Sequence, residues 1–76
     1  MKIAIIEIIS NLSDIEISEI SNTSKFKDLG FDNLDMAELI MTIEDRFSIR
    51  AYDSMYYAET VGELIEQFEK LNITVK

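Results

Sequence analysis

Asp28-Leu29-Gly30-Phe31-Asp32-Asn33-Leu34-Asp35 runs without a break into Met36-Ala37-Glu38-Leu39-Ile40-Met41-Thr42-Ile43-Glu44-Asp45-Arg46-Phe47, and this stretch decides the fold. Gly30 permits a backbone turn that residues with a Cβ resist. Asp32 is placed to cap a helix, and Asp35, three positions on, helps to satisfy the open amides of the first turn. Acidic side chains there also suit the positive end of the helix dipole. Beyond the cap, Met36, Leu39, Ile40, Ile43 and Phe47 recur at helical spacing and share one face, while Asp35, Glu38, Thr42 and Asp45 lie mainly off it. Arg46 and Arg50 fall near the end, where cations are favourable.

Two further segments carry the same period. On the N-terminal side, Ile5, Ile8, Ile9 and Leu12 form one apolar stripe. Isoleucine also suits a strand, but no second strand-like run is present to pair with it. On the C-terminal side, Thr60-Val61-Gly62-Glu63 reads as a capping box, followed by a stripe of Val61, Leu64, Ile65, Phe68 and Leu71. Asp53-Ser54-Met55-Tyr56-Tyr57-Ala58 is expected to make one or two helical turns between the second and third periodic segments. Residues 13–31 form a long connection that carries Ile15, Ile17, Ile20, Phe26 and Leu29, so it is expected to lie pinned across the core. The expected fold is all-α: a four-helix bundle with a long first loop and a short third helix, in one domain spanning residues 1–76. Its core is expected to include Ile5, Ile9, Leu12, Phe26, Leu29, Leu39, Ile40, Ile43, Phe47, Val61, Leu64, Ile65 and Phe68.

Composition removes whole classes of function. The 76 residues include no histidine and no cysteine, so the commonest general base, thiolate nucleophiles and most transition-metal sites are missing. Glu44 and Asp45 are neighbours on a helix and point about 100° apart, so they make no catalytic carboxylate pair. Asp28, Asp32 and Asp35 lack the spacing and the closing glutamate of the twelve-residue calcium loop. No catalytic residue and no metal site is therefore expected. A formal charge of −8 repels phosphate backbones and anionic lipid, which makes nucleic acid and membrane poor partners. The same charge attracts a basic patch on another protein and speeds the encounter. The opening run MKIAIIEII is interrupted by Glu7 and followed by no small-residue cleavage site, so it is not expected to be a signal peptide. No apolar stretch approaches the roughly 20 residues that span a bilayer. A monomer working in the cytoplasm is the expectation.

The stretch around Gly30 resembles the carrier motif of acyl carrier proteins, D-L-G-x-D-S-L-D, at every fixed position but one: Asn33 stands where the motif has serine. The resemblance extends over residues 5 to 71. It includes Phe26-Lys27-Asp28-Leu29-Gly30 at the end of the long loop, Glu38-Leu39-Ile40-Met41, Ile43-Glu44-Asp45-Arg46-Phe47, and the Thr60-Val61 start of the last helix. Ala51-Tyr52 departs from the Ile-Pro pair of many family members, and Arg46 and Arg50 break the acidic run.

The resemblance implies a carrier and not an enzyme. In such proteins the serine hydroxyl receives 4′-phosphopantetheine from coenzyme A, and the thiol of that arm holds acyl groups as thioesters in fatty-acid or related synthesis. It also implies an acidic second helix that docks on basic patches of the phosphopantetheinyl transferase and of acyl-processing enzymes. Transferred residue by residue, the arm site falls on Asn33, and the docking positions on Asp32, Leu34, Asp35, Glu38, Met41, Glu44 and Asp45. Between positions 28 and 45 there are six acidic residues and no basic ones, so the face keeps the family's electrostatics. A carboxamide offers no hydroxyl, and its nitrogen is a poor nucleophile, so the prosthetic group is expected to be absent here. The alternative is a non-carrying interaction module that keeps the acidic helix for docking. Asn33 itself fits two origins: a native carrier-like protein with a regulatory or scaffolding role, or a replacement that keeps the protein unmodified.

Overall fold

The computed structural model describes residues 1–74, with side chains for residues 1–71. Three helices carry the fold: α1 (Lys2–Ser13), α2 (Asn33–Phe47) and α3 (Val61–Thr74). The expected short third helix is a 3₁₀ turn, Asp53–Tyr57, and a second 3₁₀ turn, Ile17–Glu19, lies in the long loop. Among the described residues there is no strand, only an isolated antiparallel bridge between Lys25 and Thr60. The architecture is therefore all-helical, with the fourth element tighter and shorter than an α-helix.

α1 packs against both α2 and α3, and the Asp53–Tyr57 turn lies on α2. The core takes Ile5, Ile8 and Ile9 from α1, then Met36, Leu39, Ile40 and Ile43 from α2. α3 contributes Val61, Leu64, Ile65, Phe68 and Leu71. Burial of this stripe offsets the modest helix propensity of the isoleucines in α1. No polar or charged side chain is buried among the described residues. The core is thus held by apolar packing alone.

Helix ends follow local chemistry. α1 stops where Asp14 adopts φ 62° and donates its N–H to the Ser10 carbonyl at 2.8 Å. α2 stops at Ser48, φ 54°, whose N–H returns to the Glu44 carbonyl. The start of α3 is a complete capping box. Thr60 Oγ1 accepts the Glu63 N–H at 3.2 Å, and Glu63 Oε2 accepts the N–H groups of Thr60 and Glu59 at 3.1 and 3.0 Å.

Three core expectations need correction. Leu12 is 38% exposed; the chain turns away at Asp14, and the last turn of α1 lines a shallow cleft with Leu29, Gly30 and Phe31 at the rim of the bundle. Leu29 and Phe47 are half-buried and pack on the core from its edge. Met55, by contrast, is fully buried from within the Asp53–Tyr57 turn.

The long loop is pinned, as its apolar residues suggest, by Ile20 and Phe26 in the core. It is also fastened through the main chain. Phe26 N–H donates to the Glu59 carbonyl at 3.0 Å, Val61 N–H to Ser24 at 2.9 Å, and Gly62 N–H to Asn22 at 2.8 Å. The last contact needs glycine, because a Cβ at position 62 would stand 2.8 Å from the Asn22 carbonyl oxygen. Gly62→Ala is therefore expected to destabilise the fold. Overpacking costs about 1–3 kcal/mol, and the better helix propensity of alanine returns at most about 1 kcal/mol. A thermal melt should show a loss of several degrees; an unchanged or raised melting temperature would remove the close approach from the account.

Candidate functional site

The site is built on the first turn of α2. Asp32 is the N-cap; its Oδ1 accepts the Asp35 N–H at 2.9 Å, and Asp35 Oδ2 accepts the Asp32 N–H at 3.1 Å. This reciprocal pair fixes where the helix begins. Gly30, at φ 85°, takes the left-handed conformation that lets residues 26–31 fold back, with the Phe31 N–H on the Phe26 carbonyl at 3.0 Å. The two phenyl rings meet with centroids 5.5 Å apart at 56°. Asn33 follows as the first residue of α2 and is exposed. A cleft of about 340 Å³ opens beside it, floored by Phe26, Phe31, Met36 and Tyr56 and edged by Lys25 and Lys27.

The hydrogen bond from Asp35 N–H holds the Asp32 carboxyl below its ordinary value of 3.8. Folding thus favours the ionised form. The capping contribution is complete above the unfolded-state value near 3.8 and is lost as pH falls through the lower folded value. Because the residue is exposed, the effect is local. The Asp35 amide resonance is expected to move as pH drops below about 4, reporting loss of the cap. In Asp32→Asn, which caps about as well without ionising, that movement should be much reduced. An identical titration in the asparagine variant would assign it to another group.

Along α2, five of the seven expected docking residues come together. Leu34, Asp35, Glu38, Met41 and Asp45 line one groove of about 490 Å³, with Ala37 and Thr42. Leu34 and Met41 are 78% and 59% exposed, so the groove has an apolar floor between carboxylates. Asp32 stands outside it, at the cap. Glu44 also lies apart: it is half-buried, and its Oε2 accepts the Ala51 N–H at 2.7 Å, which closes the loop after the helix. Sequence spacing could not show that commitment, because Ala51 lies beyond the helix end.

Among the described residues no group of three Asp, Glu, His or Cys side chains comes close enough to hold a metal ion. Nor is any helix there long and apolar enough to cross a membrane.

The helical bundle, with a glycine turn leading into a capped, acidic second helix, matches one family in comparison with known proteins. The family model for the phosphopantetheine attachment site matches residues 4–68. The acyl carrier protein of Sulfurovum sp. is 36% identical over 67 residues, which is 86% of this chain and 89% of that protein. That of Wolinella succinogenes is 34% identical over 65 residues, covering 83% and 86%. The crystal structure of the acyl carrier protein from Thermotoga maritima aligns over 97% of this chain and 88% of its own, with a TM-score of 0.82 at 28% identity. The chain belongs to the acyl carrier protein family. It is accordingly a carrier-type protein and not an enzyme.

Proposed function

We propose that this chain is an acyl-carrier scaffold that does not take the prosthetic arm as it stands. The observation that carries the reading is Asn33 itself: the first residue of α2, exposed at the carrier motif's serine position, with a side chain that has no hydroxyl. The residues present therefore do not fit a phosphodiester-linked arm. Neither is there a substitute within the motif. Ser24 and Thr42 are the nearest hydroxyls in sequence. Ser24 lies in the loop on the Ser21 N–H, and the Thr42 hydroxyl donates to the Glu38 carbonyl a good two turns along the helix.

The rest of the scaffold supports family-type partners. Leu34, Asp35, Glu38, Met41 and Asp45 form the docking groove, Asp32 flanks it, and Glu44 lies apart, turned to the Ala51 N–H. The partners are the phosphopantetheinyl transferase and acyl-processing enzymes with basic patches, met by residues 1–76 as one monomeric domain in the cytoplasm. With a serine restored, the cargo would be acyl intermediates of fatty-acid or related synthesis. The second reading, a docking module that dispenses with the arm, rests on the same groove, which does not need a hydroxyl.

Intact mass after incubation with coenzyme A and a broad-specificity phosphopantetheinyl transferase tests both. The parent is expected to gain nothing and Asn33→Ser to gain one group. A loaded parent would overturn the reading. If neither gains the group, the docking face has diverged as well, and the arm-free module is the better reading.

A further inference from the structure

The acidic face of α2 has an end that the docking reading leaves unexplained. After six acidic residues and no basic ones between positions 28 and 45, the next two charges are Arg46 and Arg50. Both are exposed. Among the described residues the one ion pair is Lys70 with Glu66, so neither guanidinium lies within ion-pair distance of a described carboxylate. That is notable for Arg50, which lines a cleft of about 650 Å³ together with Glu44, Asp45 and Asp53. Glu44 is turned to the Ala51 N–H instead. The helix dipole accounts for Arg46 in the last turn of α2, but its influence fades within that turn, and Arg50 lies beyond the Ser48 cap.

The groove of Leu34, Ala37 and Met41 ends at Asp45, which also lines the Arg50 cleft, so the two surfaces are continuous. Going along α2, a partner therefore meets an apolar floor edged by carboxylates and then the Arg50 guanidinium, with the exposed Arg46 next to Asp45 in sequence. A uniformly basic patch would match the first part and lose attraction at the second, where Arg46 and Arg50 offset the carboxylates beside them. Guanidinium pairs with carboxylate or phosphate through a planar fork of donors, and on a protein surface the match is a carboxylate. We infer that the partner of this face is a protein surface of ordered charge: basic opposite Asp35, Glu38 and Asp45, and acidic opposite Arg46 and Arg50. The inference rests on the docking reading above and adds the residues that set partner choice. Like-charge juxtaposition excludes wrong partners, and attraction selects right ones.

The test uses the full chain and two synthetic amphipathic helical peptides with the same apolar stripe. One carries lysine along its whole polar face; the other has glutamate in place of lysine in its last turn. Binding is followed by fluorescence anisotropy at low and moderate salt. The parent is expected to bind the mixed peptide about threefold to tenfold more tightly, although that peptide has less positive charge. Arg46→Glu/Arg50→Glu is expected to reverse the preference. Bulk attraction predicts the opposite for the parent, since the more basic peptide should bind the −8 chain better. A parent that prefers the uniform peptide, or a preference unmoved in the double variant, overturns the inference and leaves the docking groove standing. Leu34→Glu/Met41→Glu separates the two levels. If it leaves binding of both peptides unchanged, the groove is not the docking site and the inference falls with it. All four positions are exposed, and superimposable melting curves would confirm that each variant is folded.

Discussion

Asn33→Ser is expected to carry one phosphopantetheinyl group per chain where the parent carries none. The substitution changes chemistry and leaves structure alone. The reciprocal cap is made by Asp32 and Asp35, at 2.9 and 3.1 Å, and the side chain of residue 33 takes no part in it. Asn33 is exposed, makes no side-chain hydrogen bond among the described residues, and occupies a position that serine tolerates equally. Surface changes of this kind move stability by no more than about 0.5 kcal/mol. What changes is that an oxygen nucleophile now projects from the first turn of α2, beside the groove proposed to hold the transferase. Asn33→Ala is the control, with the same fold and no hydroxyl, and it should remain unloaded. Loading of Asn33→Ala would point to another acceptor and remove position 33 from its assigned role.

Phe68→Ala is expected to leave little folded protein. Phe68 is fully buried, in the middle of the α3 stripe and within the apolar core cluster. Truncating such a ring costs about 3–5 kcal/mol, from lost transfer energy and from the cavity that remains. A chain of 76 residues has a total stability of about 4–11 kcal/mol on the usual per-residue scale, so most of the margin would go. Phe47→Ala is the informative comparison. Phe47 is half-buried at the end of α2, so the same truncation should cost clearly less. Urea unfolding followed by circular dichroism checks both. Should Phe68→Ala melt within a few degrees of the parent, or Phe47→Ala prove the more damaging, the core is misassigned.

How much of this could be read from the residues depends on the range of the signal. The start of α2 was legible because its cap is made three residues apart, and the same holds for Thr60 with Glu63. The buried stripes of α2 and α3 were legible because fourteen or fifteen residues give the helical period room to repeat. Met55 was not, since a five-residue 3₁₀ turn is too short to display a period. Leu12 obeys the period of α1 yet is exposed, because the rim of the bundle is decided by where the chain turns. At the site, Leu34 and Met41 stand out as apolar residues off the buried stripe, and the groove gathers them. Glu44 could not be separated from its acidic neighbours, since its partner is a main-chain N–H seven residues later.

The fastening of the long loop to residues 59–62, at and just before the start of α3, has a consequence for anyone who would rewrite it. The three ties at Asn22, Ser24 and Phe26 use main-chain atoms on both sides, while the side chains of Asn22, Thr23 and Lys25 are exposed. The segment is thus indifferent to much of its spelling but strict about its count of letters. Libraries that vary identity at positions 22, 23 and 25 should return folded clones. A single residue inserted among them would throw every tie after it out of step.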